Sequence, residues 1–364
     1  MDAYSTLKYD CRHFQGHIPC VPNKLRGKVC GSCDEYIPTG KRILFIKLGA
    51  IGDVIRTTPL VTRFRAEFPN CRISWITHSP AILPKSAVDD IWRLDTEAVI
   101  KAESLPWDIA INLDKDVEAC ALLARTNAKQ KFGFTLREGH IDAATPAAQH
   151  KLVTGLFDNL SKANTKNYLE EIFEVCHLDF RGEDYLLDAE PKLVAKWKHL
   201  RGEANGKPVI GLNTGCGERW RTRLWPEENW VALIEGLQQA GFYPMVLGGP
   251  DEHGLNTRYQ ERTGCAYPGH HSLQDFIAIS AQCDAIVTQV SMMMHIAIGL
   301  KKPMVLFNNI FNRYEFELYG RGVIVEPTTG CDCYYGNSCS RARNCMHDIA
   351  VEPVRAHITK LVGK

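Results

Sequence analysis

A single aspartate follows a turn between a predicted strand and a predicted helix early in the chain. The stretch "KRILFIKLGAIGDVIRTTPLV" begins as an apolar strand, breaks at Gly49 and continues as a helical pattern with Asp53 directly after Gly52. In open parallel sheets, ligands bind at the loops that leave the carboxyl ends of strands. The glycines permit a tight turn and the close approach of a ligand, so Asp53 can face a ligand. A carboxylate there can equally stabilise the helix N-terminus.

The spacing of these residues disfavours two common nucleotide-binding folds. The pattern G-x-x-G-D is neither the G-x-G-x-x-G of dinucleotide-binding proteins nor a phosphate-binding P-loop. It therefore disfavours an NAD-dependent dehydrogenase and an NTPase.

Arginines are concentrated in a second turn, within "NTGCGERWRTRLWPEENW". Arg219, Arg221 and Arg223 precede a predicted helix that opens at Pro226. Guanidinium groups and the free amides of a helix N-terminus both bind anions, so this loop suits a diphosphate. A solvated basic loop is the alternative, and the two tryptophans beside the arginines argue against it.

Two later turns carry further polar residues. Glu252 follows a pair of glycines in "VLGGPDEH", where a carboxylate can accept hydrogen bonds from ribose hydroxyls or cap a helix. Ser291 ends a predicted strand and His295 lies on the next helix, in "VTQVSMMMHIAIGL". A histidine on an apolar helix is commonly a core residue, and the three methionines also fit a core.

Eight of the 14 cysteines fall in two short segments, one near each end of the chain. In a reducing compartment such groups of four indicate metal binding more than disulfides, and four thiolates fit zinc, rubredoxin-like iron or an iron–sulfur cluster. Free thiols are the alternative. A metal would hold segments too short to form a core of their own. The predicted ligands are Cys11, Cys20, Cys30, Cys33, Cys331, Cys333, Cys339 and Cys345.

Strand and helix patterns alternate twice along the chain, which predicts two α/β domains with doubly wound parallel sheets. Single helices are expected over "DVIRTTPLVTRFRAEFP" and over residues 150–178, "DDIWRLD" is expected to be a short connecting element, and the charged residues 188–207 are expected to be a linker. The predicted domains are a Cys-rich segment over 1–40, a first domain over 41–190, a second over 205–326, and a Cys-rich segment with a closing helix over 327–364.

Composition sets the class of protein. Apolar residues make up 45% and charged residues 23% of the 364-residue chain, as in soluble globular proteins. A net charge of +1 gives no bulk reason to expect nucleic acid, and no apolar run reaches the ~18 residues that span a bilayer. The N-terminus lacks a secretory signal. We expect a cytoplasmic protein with no nucleic-acid partner, and peripheral contact with the inner membrane is left open.

The motifs together resemble glycosyltransferase family 9, the ADP-heptose-dependent heptosyltransferases. "ILFIKLGAIGDVIRTTPLV" is similar to the family's N-terminal signature, and "RLWPEENW", "LGGPDE" and "TQVSMMMHIAIGLKKPMVLF" follow in the family's order over about residues 41 to 325. The resemblance implies a GT-B fold, with the acceptor on the first domain and the nucleotide-sugar on the second. It also implies inverting transfer of heptose from ADP-heptose without a catalytic metal or other cofactor.

The resemblance also implies residue roles. Asp53 matches the general base that takes the proton of the acceptor hydroxyl, Arg223 stands where the family usually has a diphosphate-binding lysine, and Glu252 matches a ribose-binding position. The expected acceptor loop comprises Lys47, Gly49, Gly52 and Thr57. The expected donor-binding residues are Asn213, Thr214, Gly215, Arg219, Arg223, Glu252, His271, Thr288, Ser291, Met292 and His295.

One departure from the family pattern leaves the donor sugar open. Where the family commonly has D-[ST]-G before the histidine, this chain has Val290-Ser291-Met292. A similar version, with a Cys-rich metal motif, resembles the branch that heptosylates autotransporter proteins. The acceptor is therefore expected to be either a lipopolysaccharide core sugar or a protein Ser/Thr, and a homo-oligomer is left open. The alternatives are a GT-B epimerase or hydrolase of nucleotide-sugars, and a metal-cluster protein that binds sugar nucleotides without turnover.

Overall fold

The chain folds around two separate, mainly parallel sheets that are both covered by helices. The computed structural model describes residues 6–217 and 219–363. The first sheet has the strand order β3-β2-β1-β4-β5-β6 and the second β11-β10-β9-β7-β8. The predicted α/β fold with two doubly wound domains is confirmed.

The described residues of the first half form six strands and eight helices, in this order along the chain: α1 (Val21–Arg26), β1 (Arg42–Ile46), α2 (Ile51–Thr57), α3 (Pro59–Glu67), β2 (Arg72–Thr77), β3 (Asp90–Arg93), α4 (Thr96–Ser104), β4 (Trp107–Asn112), α5 (Val117–Arg125), β5 (Ala128–Arg137), β6 (His140–Ala143), α6 (Gln149–Thr154), α7 (Asp158–Ala163) and α8 (Tyr168–Val175). Only β5 and β6 pair antiparallel among these strands, at one edge of the sheet.

In the second half, the part that the structure describes has five parallel strands and seven helices: α9 (Pro191–Lys196), α10 (His199–Glu203), β7 (Val209–Asn213), α11 (Glu227–Gln239), β8 (Tyr243–Leu247), α12 (His253–Thr263), α13 (Leu273–Ala281), β9 (Ala285–Gln289), α14 (Met292–Gly299), β10 (Met304–Phe307), β11 (Gly322–Val325) and α15 (Val351–Leu361). Short 3₁₀ turns lie between several of them, among them Arg221–Arg223, Arg313–Glu315 and Cys345–Asp348.

Four expected elements differ from the structure. The single helix after Gly49 is two helices, because Pro59 cannot continue α2 and instead opens α3. The segment "DDIWRLD" contains a sheet strand, β3, rather than a connecting element. Residues 150–178 form three helices with interruptions. The expected linker contains α9 and α10, and Trp197 between them is buried and donates a hydrogen bond to Asp275 over 2.8 Å.

Central strands are apolar on both faces because helices cover both faces of each sheet. Phe45 on β1 and Trp75 on β2 are fully buried and stack with ring centroids 4.9 Å apart. The C-terminal helix completes the second core, since Val354 and Ile358 on α15 belong to the same apolar cluster as Phe307 on β10.

The two Cys-rich segments both pack on the rest of the chain. In the first, Arg12 forms an ion pair with Asp89 and donates to the carbonyl of Cys71 over 2.9 Å, beside the edge that β2 and β3 form. In the second, the hydroxyls of Tyr334 and Ser161 lie 2.7 Å apart, which ties this segment to α7 of the first half. Within the described part of the chain, no helix has both the length and the apolar character needed to cross a bilayer.

Candidate active site

Two adjoining cavities lie between the halves, at the carboxyl ends of β1 and of the central strands of the second sheet. One has a volume of 370 Å³ and is bounded mainly by the second half. The other has a volume of 550 Å³ and contains Asp53. The two share four wall residues, Ile51, Cys216, Ser291 and Met292. We call them the donor cavity and the Asp53 cavity, and a molecule bound in the first can reach the second.

Asp53 lies in the first turn of α2 and its side chain is 34% exposed, toward the Asp53 cavity. One carboxylate oxygen is 2.9 Å from the guanidinium of Arg56, one turn later on the helix. Burial raises the pKa of Asp53, but the positive charges of Arg56 and Lys47 outweigh this effect and hold that pKa below its ordinary value. The carboxylate is therefore ionised at neutral pH.

Arg56 joins the two halves of the chain. Its guanidinium stacks on the ring of Tyr168 at 3.4 Å from the centroid and donates to Glu315 over 2.8 Å. The second carboxylate oxygen of Glu315 accepts a hydrogen bond of 2.7 Å from the hydroxyl of Tyr335. Asp53, Arg56, Glu315 and Tyr335 thus form a chain of contacts along the wall of the Asp53 cavity.

His295 reaches the same cavity from α14, across the interface. Its ring is 7% exposed, and its Nδ1 atom is buried with no hydrogen-bond partner in the described part of the chain. Burial and the nearby Arg56 lower the pKa of His295 to about 3, so the ring is neutral. Gly52 allows this placement because a β-carbon at that position would collide with the His295 ring. We expected the glycines to make room for an acceptor, but Gly52 makes room for His295.

Arg223 is a buried cation whose contacts are with carbonyl groups. Its side chain contacts the carbonyl of Val290, and it donates to those of Cys216 over 2.5 Å and Trp220 over 3.2 Å. The residue is 7% exposed and lines the Asp53 cavity. In the described part of the chain it forms no ion pair with a carboxylate. Since a buried charge is costly unless it is paired, this arrangement favours an anionic ligand.

Glu252 lies in the wall of the donor cavity, held against two loops of the second sheet. It accepts a hydrogen bond of 2.9 Å from the backbone N–H of Gly249. A β-carbon at Gly215 or Gly248 would collide with the Glu252 side chain. These glycines therefore let the carboxylate lie between the ends of β7 and β8, where one of its oxygens is hydrogen-bonded by the protein.

The structure brings together most of the predicted site residues. In the donor cavity lie Asn213, Gly215, Glu252, His271, Ser291 and Met292. In the Asp53 cavity lie Gly52, Asp53, Arg223, Ser291, Met292 and His295.

Six predicted residues line neither cavity, and two of them, Arg219 and Thr288, contact residues that do. Lys47 is buried in an ion pair with Asp114, Thr57 bonds to the carbonyl of Val54, and Arg219 covers the ring of Trp220. The remaining three are Gly49, whose β-carbon position is open space, Thr214, which bonds to Asn256, and Thr288, whose hydroxyl lies 3.2 Å from that of Ser291.

Sequence reasoning missed several wall residues. Arg56, Glu315 and Tyr335 were not identified as site residues. The motif "CDCYYGNSC" was assigned to metal binding, yet it also supplies Tyr335 to the Asp53 cavity. Leu273 and Phe276 on α13 form an apolar side of the donor cavity and were not identified either.

The predicted metal site is not confirmed. No group of three or more His, Cys, Asp or Glu side chains among residues 6–217 and 219–363 is arranged to hold a metal ion. The C-terminal thiols do contact one another in pairs, Cys331 with Cys345 and Cys333 with Cys339. The N–H of Cys333 also donates to the sulfur of Cys331 over 3.4 Å, and Asn309 donates to that of Cys345 over 3.6 Å. Two of the four sulfurs, those of Cys331 and Cys345, thus accept an N–H group.

The family follows from a comparison with known protein families. Residues 101–309, more than half of the chain, match glycosyltransferase family 9 (heptosyltransferase). The chain belongs to glycosyltransferase family 9. It is therefore a glycosyltransferase, and the resemblance drawn from its motifs is confirmed.

Characterised relatives carry the same assignment at low identity. Lipooligosaccharide heptosyltransferase 2 of Haemophilus influenzae is 22% identical over 327 residues, which cover 79% of this chain and 89% of that protein. Lipopolysaccharide heptosyltransferase 2 of Escherichia coli K12 is 29% identical, but the match covers 27% of this chain and 30% of that protein.

Solved structures share the fold. A family 9 glycosyltransferase from Veillonella parvula superposes with a TM-score of 0.68 at 18% identity, covering 88% of this chain and 97% of that one. ADP-heptose lipopolysaccharide heptosyltransferase II of E. coli gives 0.66 at 17% identity, covering 88% and 98%. TibC of enterotoxigenic E. coli, an iron-containing dodecameric glycosyltransferase, gives 0.56 at 15% identity, covering 89% and 76%.

Proposed function

We propose that the protein transfers heptose, with inversion, from ADP-heptose to a hydroxyl group of a lipopolysaccharide core sugar or of a protein Ser/Thr. The observation that carries the proposal is the Asp53 cavity, where an ionised Asp53 and Arg223, a cation with no carboxylate partner among the described residues, lie around one space. The donor identity rests on the family, since the relatives include heptosyltransferases and a structure described as an ADP-heptose heptosyltransferase.

The donor cavity suits a nucleoside diphosphate. Leu273 and Phe276 offer an apolar side for a flat base, and Glu252 offers a carboxylate for ribose hydroxyls. The diphosphate then extends past Ser291, which precedes the N-terminus of α14. Helix N-termini stabilise anions through their free N–H groups, and Met292, the first residue of α14, lies in both cavity walls.

Arg223 stabilises the negative charge that develops on the leaving group. As the bond between the anomeric carbon and the phosphate oxygen breaks, the electron pair moves to ADP. A cation already held by three carbonyl contacts needs no reorganisation to stabilise that charge. Following the family, the proposed transfer uses no metal or other cofactor for this step. His295 lies in the same wall, and its buried Nδ1 has no hydrogen-bond partner in the described part of the chain.

Asp53 takes the proton of the acceptor hydroxyl. The acceptor oxygen forms the new bond to the anomeric carbon while its proton moves to the carboxylate, so atoms and charge balance with the departure of ADP. General-base assistance of this kind contributes roughly 10²–10⁴-fold. Because attack and departure occur on opposite sides of the carbon in one step, the configuration inverts.

The acceptor approaches through the Asp53 cavity, which adjoins a third, polar cavity of 280 Å³. Glu315 and Tyr335 line both spaces, and Lys151, Asp158 and Asn164 are among the other residues of the third. Hydroxyl groups of a sugar or of a polypeptide side chain fit such polar walls.

The Cys-rich segments are proposed to hold structural zinc or iron. The C-terminal sulfurs fit a thiolate site by their donor chemistry, and TibC is described as iron-containing. A bound metal would fix the segment that contains Tyr335. Reduced metal-binding cysteines favour a reducing compartment, so we place the protein in the cytoplasm, with peripheral inner-membrane contact if the acceptor is lipid-linked. A homo-oligomer is part of the proposal because TibC is dodecameric.

Calorimetric titration with ADP-heptose, ADP, UDP-N-acetylglucosamine and GDP-mannose tests the donor. The expected result is selective binding of ADP-heptose. When an acceptor is added, the wild type should release ADP and Asp53→Asn should not. Preference for another nucleotide-sugar would refute the donor assignment, and would indicate that Val290-Ser291-Met292 has changed the specificity. Full transferase activity of Asp53→Asn would refute the role of the base.

A further inference from the structure

The charge balance around the proposed base depends on a residue from the opposite half of the chain. Arg56 lies between two carboxylates, 2.9 Å from Asp53 and 2.8 Å from Glu315. All three side chains are largely shielded, with exposed fractions of 34% for Asp53, 14% for Arg56 and 17% for Glu315. One positive charge is thus shared by two negative charges at a site where water screens them weakly.

Glu315 is held by contacts to both of its carboxylate oxygens. Its Oε1 accepts from Arg56 and its Oε2 accepts from the hydroxyl of Tyr335, so both oxygens are occupied. The Tyr335 ring packs edge-on against Phe311 at 4.9 Å and against Trp220 at 5.9 Å. Its backbone N–H donates to the carbonyl of Ile310 over 2.9 Å. Glu315 is therefore fixed in place, and Arg56 is drawn toward it.

We propose that Glu315 is a positioning residue for Asp53: by holding Arg56 across the interface, it keeps Arg56 from neutralising the carboxylate that accepts the acceptor's proton. The inference rests on the proposed role of Asp53 as the base. If Arg56 paired with Asp53 alone, the carboxylate would be a strongly stabilised anion and a weak base. Because the positive charge of Arg56 is shared with Glu315, Asp53 stays ionised and can still accept a proton.

Other charged and titratable groups around Asp53 do not replace this effect. His295 on α14 is neutral, since burial lowers its pKa to about 3. Lys47, which is paired with Asp114, also lowers the pKa of Asp53, but less than Arg56 does. The groups that act on Asp53 or on this network from the surrounding elements are Arg56 on α2, Lys47 after β1, Tyr168 on α8, Tyr185 before α9, His295 on α14, Glu315 and Lys151.

The link also ties the base to the arrangement of the two halves. Asp53 and Arg56 belong to α2, whereas Glu315 and Tyr335 lie 259 or more residues beyond Arg56. The shared charge therefore exists only where the halves meet as in this structure. A donor bound between them lies beside a base already adjusted for proton transfer.

The test measures ADP release from ADP-heptose, with water or with the hydroxyl acceptor found in a screen. Glu315→Gln keeps the size of the side chain and removes its charge. We expect kcat to fall about 3- to 10-fold, because Asp53 becomes a weaker base. The KM for ADP-heptose should stay unchanged, because the substitution leaves the donor contacts in place. Glu315→Asp restores the charge and should recover at least half of that loss. Glu317→Gln, the same change two residues away, should match the wild type.

Epistasis separates this inference from a purely structural role. In an Asp53→Asn background, Glu315→Gln should change the residual rate less than about twofold, because no base remains to be adjusted. An equal loss in both backgrounds, or a raised KM with unchanged kcat, would overturn the inference. If Glu315→Gln has wild-type activity while Asp53→Asn is inactive, the inference about Glu315 is overturned but the proposed function is not. A fully active Asp53→Asn, or a wild type that never releases ADP, overturns the proposed function and the inference with it.

Discussion

The backbone of Gly52 lies directly against the imidazole ring of His295, which belongs to the opposite half of the chain. A β-carbon on Gly52 would collide with the ring carbon Cδ2. The glycine before the proposed base thus determines how closely α2 and α14 approach, and with that how the Asp53 cavity is closed. An aspartate at the tip of a turn becomes part of an interface because the residue before it has no side chain.

Gly52→Ala should therefore lower both stability and activity. Overpacking of this kind costs about 1–3 kcal/mol, and relief of the clash requires α2 and α14 to separate. We expect a lower urea midpoint and a reduced kcat. Gly254→Ala in α12 is a matched control, because a β-carbon there meets no atom within 4 Å and alanine favours helices. A Gly52→Ala variant as stable as Gly254→Ala would contradict the packing argument.

Arg223→Ala should weaken donor binding. Hydrogen bonds to charged groups contribute about 1.5–3 kcal/mol, so the Kd for ADP should rise roughly 10- to 100-fold in a calorimetric titration. Arg223→Lys keeps the charge that meets the diphosphate and should lose much less.

The control for Arg223 is Arg262→Ala, which removes a surface ion pair with Glu228 and should leave the Kd for ADP unchanged. Equal affinities of the wild type and Arg223→Ala would mean that the diphosphate does not contact this guanidinium. Circular dichroism of each variant separates lost binding from lost folding, because the carbonyl contacts of Arg223 also hold the loop.

Removal of Arg56 should make the acid side of the pH profile visible. In the wild type, burial raises and Arg56 lowers the pKa of Asp53, with a net pKa below the ordinary value. The base is ionised above that pKa and is lost only as pH falls through it, so kcat/KM should show no loss from this group between pH 5 and 8. Without Arg56, burial remains and the pKa rises, so the loss should move to higher pH.

The variant to measure is Arg56→Gln combined with Glu315→Gln, because a lone Glu315 would be an unpaired buried carboxylate. The profile of kcat/KM from pH 4 to 9 is compared with that of Arg125→Gln, which removes an exposed arginine. Profiles that coincide would show that Arg56 does not set the ionisation of the base.

The local part of this site could be predicted from the sequence, and the part that joins distant segments could not. The strand Ile43–Ile46, the turn after it and Asp53 all follow from adjacent residues. Glu315 could not be connected with Arg56, because the pair joins positions 259 residues apart and Glu315 lies in none of the recognised motifs. The sequence also could not show which side chains at the strand ends point into the cavities.

Predicted donor residues at strand ends illustrate that limit. Thr288 and Thr214 lie beside the cavity loops, but both are fully buried or nearly so and bond to neighbouring side chains. In a strand covered on both faces, apolar alternation no longer indicates which residue faces the ligand. Tyr335 was hidden for another reason, since the cysteines around it suggested metal binding and not the wall of an active site.

Disruption of the C-terminal cysteines should remove a metal and weaken the active site together. Cys333 contacts Cys339 and lies two residues before Tyr335, whose hydroxyl holds Glu315. Cys333→Ser should lose about one equivalent of zinc or iron by elemental analysis, because a four-sulfur site rarely keeps its metal with three. The kcat of Cys333→Ser should fall as in Glu315→Gln, because Tyr335 is no longer fixed. The control is Cys176→Ala, a change in the core of the first half, which should keep the metal. Unchanged metal content in Cys333→Ser would contradict the proposed site, and full activity of a metal-free variant would show that the Cys-rich segment holds Tyr335 through its protein contacts alone.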